Sequence, residues 1–237
     1  MSKLYFFRHA QASYGAANYD QLSPKGEEQS ALLGKYLVEK GYHFDKIFVG
    51  PLERQKHTYQ IVADIYKKNN KTFPSPIPVE GLREHAGPKA MRHALPNLID
   101  EVPQIKKWYA EIEENPKLMK RNSLLTFQYF MDEWALGKIE VPAIQSWEEF
   151  RIAVKKGLKT IFENTGSGET IGAFTSGGTI SAITAEALHI QDERRVAAMN
   201  FSVRNTSFTS FLFSKNQFNL LSFNELPHLE KEMVTFV

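Results

Sequence analysis

The fold is decided by residues 3–10, KLYFFRHA, in which a short apolar and aromatic run ends in a charged pair. Such a run is typical of a strand that is buried on both faces of a sheet. Side chains that directly follow the buried strands of an open parallel sheet lie at the edge where ligands bind. The stretch therefore predicts a buried strand with Arg8 and His9 at its carboxyl end.

Outward from this stretch, strand-like and helix-like segments alternate. Residues 45–50 (DKIFVG) and 170–175 (TIGAFT) are short and apolar like the first run, and residues 77–79 are a shorter candidate. Ser23, followed by Pro24, has the pattern of a helix N-cap and first helical residue. This alternation predicts an α/β fold with three layers, α/β/α, and a mostly parallel sheet.

Two segments depart from the alternation. Residues 206–213 and 217–223 have the pattern of an antiparallel hairpin at the C-terminal edge of the sheet. Between about 85 and 145 no strand-like run occurs, which predicts a helical lid or insertion. We therefore expect one domain, residues 1–237, that carries this insertion. The open edge of the hairpin is a candidate surface for a homodimer.

The composition narrows the classes of function. The 29 basic and 27 acidic residues nearly cancel, so no net field attracts nucleic acid or an anionic membrane. The chain has no cysteine, which excludes disulfides, thiolate metal sites and cysteine nucleophiles. We find neither a secretory signal pattern nor an apolar run long enough to span a membrane. We therefore expect a cytoplasmic protein that acts on neither nucleic acid nor membrane.

Polar side chains follow each predicted strand and are expected to meet at one edge of the sheet. They comprise an imidazole, two guanidinium groups, a carboxyl group and the start of a helix: His9, Arg8, Arg54, Glu84, Ser176 and Gly177. Arginine fits phosphate oxygens with a planar set of donors, and a helix N-terminus adds backbone donors. A neutral histidine can attack phosphorus while a carboxylic acid protonates the leaving oxygen. The set therefore favours phosphoryl transfer.

The segments that hold these residues resemble motifs of the histidine phosphatase (phosphoglycerate mutase-like) superfamily. Residues 8–10 (RHA) resemble its R-H-G signature, and residues 20–29 (DQLSPKGEEQ) resemble its D-x-L-S/T-x-x-G-x-x-Q segment. Residues 50–58 (GPLERQKHT) are similar to S-x-L-x-R-x-x-x-T, and residues 82–87 (LREHAG) to L-x-E. Residues 175–180 (TSGGTI) stand where the family has S-H-G-G-x-I. The order of the motifs, along nearly the whole chain, makes the resemblance specific.

The resemblance implies a role for each residue. His9 would be the nucleophile that is transiently phosphorylated, and Glu84 would act as general acid and base. The phosphate oxygens would be bound by Arg8, Arg54, Ser176 and Gly177. The resemblance also implies a small phosphorylated substrate and a hydrolysis that needs no metal ion and no organic cofactor. Glu80 is a rival to Glu84 for the role of the acid.

Two residues depart from the family pattern. Ala10 stands where the family has glycine, and its methyl group costs energy if the backbone there has a positive φ. Ser176 stands where the family has a second histidine, and a neutral hydroxyl group binds phosphate more weakly than a charged donor. His85, His93 and His228 are candidates for a substitute donor. His228 is preferred because the C-terminal segment could fold back onto the site.

Three functions are compatible with these residues. The favoured one is a phosphomonoester hydrolase that acts on a small phosphorylated metabolite or a phosphoprotein. A phosphoglycerate-type mutase ranks lower, because loss of the second histidine should penalise a transfer that must run in both directions. The third is a catalytically weak member that binds a phosphorylated ligand, which Ala10 and Ser176 together suggest.

Overall fold

The run that opens the sequence forms the first strand of a six-stranded sheet. The computed structural model of the protein describes residues 1–13 and 20–236, so residues 14–19, half of the loop predicted over residues 11–22, lie outside the described residues. The strands are β1 (Ser2–Arg8), β2 (Lys46–Val49), β3 (Pro76–Pro78), β4 (Thr170–Thr175), β5 (Phe208–Ser214) and β6 (Gln217–Glu225). The helices are α1 (Pro24–Glu39), α2 (Glu53–Lys68), α3 (Gly87–Glu101), α4 (Pro103–Glu114), α5 (Met119–Ala135), α6 (Trp147–Glu163), α7 (Gly177–Leu188) and α8 (Glu193–Asn200).

The strand order in the sheet is β3-β2-β4-β1-β5-β6. Strands β3, β2, β4 and β1 pair in parallel, whereas β5 pairs antiparallel with both β1 and β6. The prediction of a mostly parallel sheet with an antiparallel C-terminal edge is confirmed. Strands β1 and β4 are neighbours in the middle of the sheet, so the residues that follow them lie side by side.

Helices cover the sheet on both faces, and the alternation of side chains along β1 shows this directly. Phe7 packs into a cluster with Leu33 of α1 and with apolar residues of α2. Phe6 points to the opposite face, where Phe162 of α6 stacks on Phe213 of β5 with ring centroids 4.6 Å apart. Full burial of an aromatic or aliphatic side chain contributes about 1.5–3 kcal/mol, so both layers stabilise the central strands.

Two helix starts follow the local signals in the sequence. The Ser23 hydroxyl oxygen accepts from the Gly26 N–H at 3.1 Å, which makes Ser23 the N-cap of α1. Ser146 and Glu149 form a reciprocal capping box before α6, with bonds of 3.1 and 2.8 Å. These bonds satisfy backbone donors that a helix start leaves open.

Other boundaries differ from the sequence prediction. The predicted hairpin begins at 206, but β5 begins at Phe208, because Thr206 has a positive φ of 57° that interrupts an extended strand. Helix α8 has no counterpart among the predicted elements. Pro96 lies inside α3 although proline normally ends a helix.

The chain divides into two compact units. One consists of Met1–Glu84, Ala153–His189 and Met199–Val237 and contains the sheet. The other consists of His85–Ile152 and Ile190–Ala198 and holds α3, α4 and α5. Within the described part of the chain, none of the helices has the length and apolar character needed to cross a membrane.

Candidate active site

His9 directly follows β1 and its backbone is held from two directions. Its N–H donates to the Thr175 carbonyl at 2.8 Å, and its own carbonyl accepts from the Asn205 side-chain amide at 3.1 Å. The Thr206 N–H lies 3.4 Å from the same carbonyl oxygen. The residue is only 4% exposed. Strand β4 and the segment before β5 therefore fix the backbone of His9.

The hydrogen bonds of the His9 ring define its tautomer. Nδ1 lies 2.7 Å from the Ala10 carbonyl oxygen, which can only accept, so Nδ1 carries the hydrogen. Nε2 accepts from Nε of Arg54 at 3.0 Å. Burial, and then the charges of Arg54 and Arg8, lower the pKa of His9 well below its ordinary value. The ring is therefore neutral, with a lone pair on Nε2.

Arg54 connects His9 to a carboxylate that the sequence motifs contain but that we did not predict as a site residue. Its Nη1 donates to Oδ1 of Asp20 at 2.6 Å, while its Nε donates to His9. Oδ2 of Asp20 accepts from the backbone N–H of Glu53, the first residue of α2, at 2.9 Å. Asp20 therefore balances the charge of the buried Arg54 and also caps the helix that carries it.

Arg8 lies against the first turn of α7. Its Nη1 donates to the Val203 carbonyl, and its backbone N–H donates to the Ser207 carbonyl at 2.9 Å. A Cβ atom added at Gly177 would lie 3.4 Å from Nε of Arg8 and 2.7 Å from Oδ1 of Asn200. A side chain at Gly177 therefore has no room unless Asn200 shifts, and the glycine lets the helix start approach the guanidinium group.

Glu84 lies at the same helix start. Its Oε2 accepts from the Gly178 N–H at 3.1 Å. The preceding carbonyls of Leu82 and Arg83 accept from the hydroxyl groups of Thr175, at 2.7 Å, and Thr179, at 2.9 Å. The segment after β3 is thus tied to β4 and α7, and the Glu84 carboxyl group is placed at the N-terminus of α7.

Ser176 is the N-cap residue of α7, but its side chain does not cap the helix. It is fully buried, and its Oγ accepts from the Gln55 side-chain amide at 2.8 Å. Gln55 follows Arg54 on α2 and, like Asp20 and Asn205, was not predicted. For Gln55, the one signal in the sequence was its position next to Arg54 of the motif.

The predicted site residues other than His228 therefore come together at the ends of β1 and β4 and the starts of α2 and α7. The model of the histidine phosphatase superfamily (branch 1) matches residues 4–128 and 119–226. The chain belongs to this superfamily. The resemblance predicted from the motifs is confirmed.

Individual relatives are similar in part of the sequence or in the fold. A broad-specificity phosphatase of Saccharomyces cerevisiae is 34% identical over 74 residues, which are 29% of this chain and 32% of that protein. The chain matches between 32% and 39% of the length of its curated relatives.

Solved structures match over nearly their whole length at low identity. A phosphoserine phosphatase from Entamoeba histolytica, in complex with 3-phosphoglyceric acid, has a TM-score of 0.63 and 19% identity and covers 97% of this chain and 100% of that one. A phosphoglycerate mutase from Bacillus anthracis has a TM-score of 0.62 and 16% identity and covers 96% and 94%. At this identity the likeness shows a shared α/β fold.

Ala10, the first departure from the superfamily pattern, fits its place without strain. It is not among the residues with positive φ, so its methyl group carries no conformational cost of that kind. Its N–H donates to the Thr58 hydroxyl group at 3.0 Å, and its carbonyl accepts from the His9 ring. The strain considered from the sequence is therefore absent.

His228, the preferred substitute for the second histidine, contacts Thr206, whose backbone N–H lies against the His9 carbonyl. Its Nε2 is 3.0 Å from the hydroxyl oxygen of Thr206, which itself donates to the Asn205 carbonyl at 2.8 Å. Its Nδ1 is buried and has no hydrogen-bond partner among the described residues. Burial lowers the pKa of His228 to about 4, so the ring is neutral near pH 7. Its role as a hydrogen-bond donor to the phosphoryl group stays a prediction.

The other candidates have different surroundings. His85 belongs to the second unit, where its ring lies among Trp134, Trp147 and Phe150 at centroid distances of 5.5–6.0 Å. His93 is exposed on α3. Among the described residues, no group of three or more His, Asp or Glu side chains is arranged to hold a metal ion.

Proposed function

We propose that the protein is a metal-independent phosphomonoester hydrolase that works through a phosphohistidine at His9. The observation that carries this proposal is the neutral His9 ring, whose Nε2 lone pair lies beside a buried arginine. A protonated imidazole has no lone pair for attack, so the lowered pKa of His9 keeps the nucleophile active. Membership of the histidine phosphatase superfamily supports the same chemistry.

In the first step, Nε2 of His9 attacks phosphorus and the bond from phosphorus to the ester oxygen breaks. The Nε–H of Arg54 is released from Nε2 as the new bond forms, and it then binds a phosphoryl oxygen. The guanidinium of Arg8 and the N-terminus of α7 stabilise the other oxygens. Glu84, when protonated, gives its proton to the departing alcohol.

In the second step, water attacks the phosphohistidine and the bond from nitrogen to phosphorus breaks. The Glu84 carboxylate takes a proton from the water, which restores the acid and releases inorganic phosphate. The electron pair of the broken bond returns to Nε2. His9 is then neutral again, with its hydrogen still on Nδ1, where the Ala10 carbonyl accepts it.

Labelling of the protein tests this proposal. With a phosphomonoester labelled at phosphorus, we expect an acid-labile, base-stable phosphoprotein that is absent in His9→Ala. A matched control is His57→Ala, because His57 is exposed on α2 and should not change the labelling. Full turnover by His9→Ala would refute the mechanism. Transfer of the label to a second hydroxyl group instead of water would identify a mutase, and saturable binding without turnover would identify a weak member.

The proposal extends to a homodimer that pairs β6 with β6 of a second copy. The opposite edge, β3, contains Pro76 and Pro78, which protect a strand from such pairing. Strand β6 has no proline and no charge before Glu225, and Leu221 is 51% exposed. Antiparallel pairing centred on Leu220 would bring Lys215 of one copy opposite Glu225 of the other. Sedimentation of Leu221→Lys, with the exposed Leu188→Lys on α7 as control, should show loss of the dimer in the first variant alone.

We also propose a small phosphorylated substrate, as the superfamily suggests. A panel of phosphorylated metabolites and phosphopeptides, ranked by kcat/KM, would identify its class. The cytoplasmic location stays a prediction, which cell fractionation would test.

A further inference from the structure

Three bonds fix the orientation of the Gln55 side-chain amide. Its Oε1 accepts from the Leu52 backbone N–H at 3.1 Å. Its Nε2 donates to the Leu82 carbonyl at 3.0 Å and to Oγ of Ser176 at 2.8 Å. An N–H can only donate and a carbonyl can only accept, so the amide cannot be turned over without breaking both backbone bonds. Gln55 is fully buried, which makes such a loss costly.

This orientation determines what the Ser176 hydroxyl group can do. Because Gln55 donates to Oγ, the hydroxyl hydrogen of Ser176 points elsewhere. Among the residues that the structure describes, that hydrogen has no protein acceptor, and the hydroxyl oxygen does not cap α7. Because buried polar groups are normally hydrogen-bonded, this hydroxyl group is suited to donate to a bound ligand.

The position of Ser176 identifies the acceptor. Thr175 is the register partner of Arg8 in the parallel pair of β1 and β4, so Ser176 follows β4 as His9 follows β1. Neighbouring strands are about 4.8 Å apart, so the two residues lie beside each other. Gly177, the next residue, lies against the Arg8 guanidinium group. An anion bound by Arg8 and the start of α7 would therefore lie within reach of the hydroxyl group.

We propose that Gln55 is a positioning residue that turns the Ser176 hydroxyl group into a hydrogen-bond donor for the phosphoryl group. The proposal rests on the function proposed above and deepens it. It assigns to Ser176, with Gln55 behind it, the donor role that the superfamily motif gives to histidine. A neutral hydroxyl donor is weaker than a charged one, but a fixed orientation spares it the cost of reorganisation during the reaction.

Gly50 belongs to the same arrangement. It stands where the motif S-x-L-x-R has serine. A Cβ atom added at Gly50 would lie 2.2 Å from Oε1 of Gln55 and 2.7 Å from the Leu82 carbonyl oxygen. Gln55 can therefore reach Ser176 only while residue 50 has no side chain. Gly50 thus leaves room for the Gln55 amide, and that amide donates to Ser176.

A double-mutant cycle tests the proposal, with p-nitrophenyl phosphate as substrate. We expect Ser176→Ala to lower kcat by roughly 10- to 100-fold, as for loss of a hydrogen bond to a charged group. Gln55→Met should lower kcat by about tenfold in the Ser176 enzyme and leave it unchanged in the Ser176→Ala background. Ser176→Thr keeps the hydroxyl group and should keep both the activity and its dependence on Gln55. KM should change little, because the bond strengthens as the phosphoryl group transfers.

Gln60→Met is the matched control, because Gln60 is an exposed residue of the same helix that donates only to Asp64. If Gln55→Met fails to fold, Gly50→Ala displaces the same amide and enters the same cycle. An equal loss in both Ser176 backgrounds would overturn the proposal, since Gln55 would then act independently of the hydroxyl group. Labelling of His9 distinguishes failure of this inference from failure of the proposed function. Additive losses of kcat with intact labelling would reject the role of Gln55 alone. Absence of labelling in the unsubstituted protein would reject the proposed function.

Discussion

At the residue scale, the proposed mechanism depends on the charge state of the His9 ring. Burial and two arginines lower its pKa from the ordinary 6.5, so the ring stays neutral as the pH falls through that value. We expect the rate of phosphohistidine formation to show no decline centred at pH 6.5. Single-turnover labelling between pH 5 and 7.5 would measure it.

The variant Arg54→Met tests the cause of that behaviour. It removes one of the two positive charges, so the pKa of His9 should rise and the acid limb of the labelling rate should move to higher pH. The titration of the substrate is common to both enzymes and cancels in the comparison. An unchanged acid limb, with labelling merely slower at every pH, would show that Arg54 does not hold the pKa of His9 down.

Asp20 should in turn hold the Arg54 side chain in place and balance its charge. In Asp20→Asn the amide can still offer one oxygen, but the charge that balances Arg54 is lost. We expect kcat to fall by about tenfold as Arg54 loses its anchor, and inorganic phosphate to inhibit more strongly because the site is more positive. Glu53→Gln, an exposed neighbour that pairs with Lys56, is the control and should behave like the unsubstituted enzyme. Weaker phosphate inhibition in Asp20→Asn would contradict this account.

At the scale of elements, the segment after β6 should make stability depend on pH through His228. Its pKa falls from 6.5 in the unfolded chain to about 4 in the folded one. Below pH 6.5 the unfolded chain therefore binds a proton that the folded chain does not accept until about pH 4. The stabilisation from this residue is complete above pH 6.5 and is lost progressively as the pH falls toward 4.

Urea unfolding of His228→Gln at pH 7 and pH 4.5 checks this expectation. At pH 7 the variant should be less stable, because it loses packing on Tyr36 and the bond to Thr206. At pH 4.5 the difference should narrow by about 1–2 kcal/mol, less than the full shift implies because the ring is partly exposed. A difference that stays constant with pH would show that His228 titrates normally in the folded protein.

The elements also show what the sequence can and cannot predict. Ser23 was identifiable as a cap because its partner, Gly26, is three residues away. Arg8, His9 and Arg54 could be placed from the strands: Arg8 ends β1, His9 directly follows it, and Arg54 lies in the first turn of the helix after β2. Individual side-chain contacts over long sequence separation were not predictable, even where the meeting of the segments was: Gln55 reaches Ser176 over 121 residues. Such a pair depends on rotamers and on room created elsewhere, here at Gly50, and no local pattern encodes it.

At the scale of the whole molecule, the open question is whether the two compact units unfold as one domain. The chain passes between them four times, at 84/85, 152/153, 189/190 and 198/199. Trp108, Trp134 and Trp147 all belong to the second unit, so tryptophan fluorescence reports on it alone. The amides of β1 and β4 report on the first unit through hydrogen exchange. The sequence predicts a single domain, for which both probes must follow one transition.

A substitution that creates a cavity in the second unit makes this test quantitative. Phe130 is fully buried in α5, and Phe130→Ala should cost about 3–5 kcal/mol. If the chain is one cooperative domain, the amides of β1 should lose protection by the same free energy, because they exchange through the same global opening. Met119→Ala, an exposed position of α5, is the control and should leave exchange unchanged. Normal protection of β1 beside an early loss of tryptophan fluorescence would instead establish two units that unfold independently, with the proposed phosphate site in the more stable one.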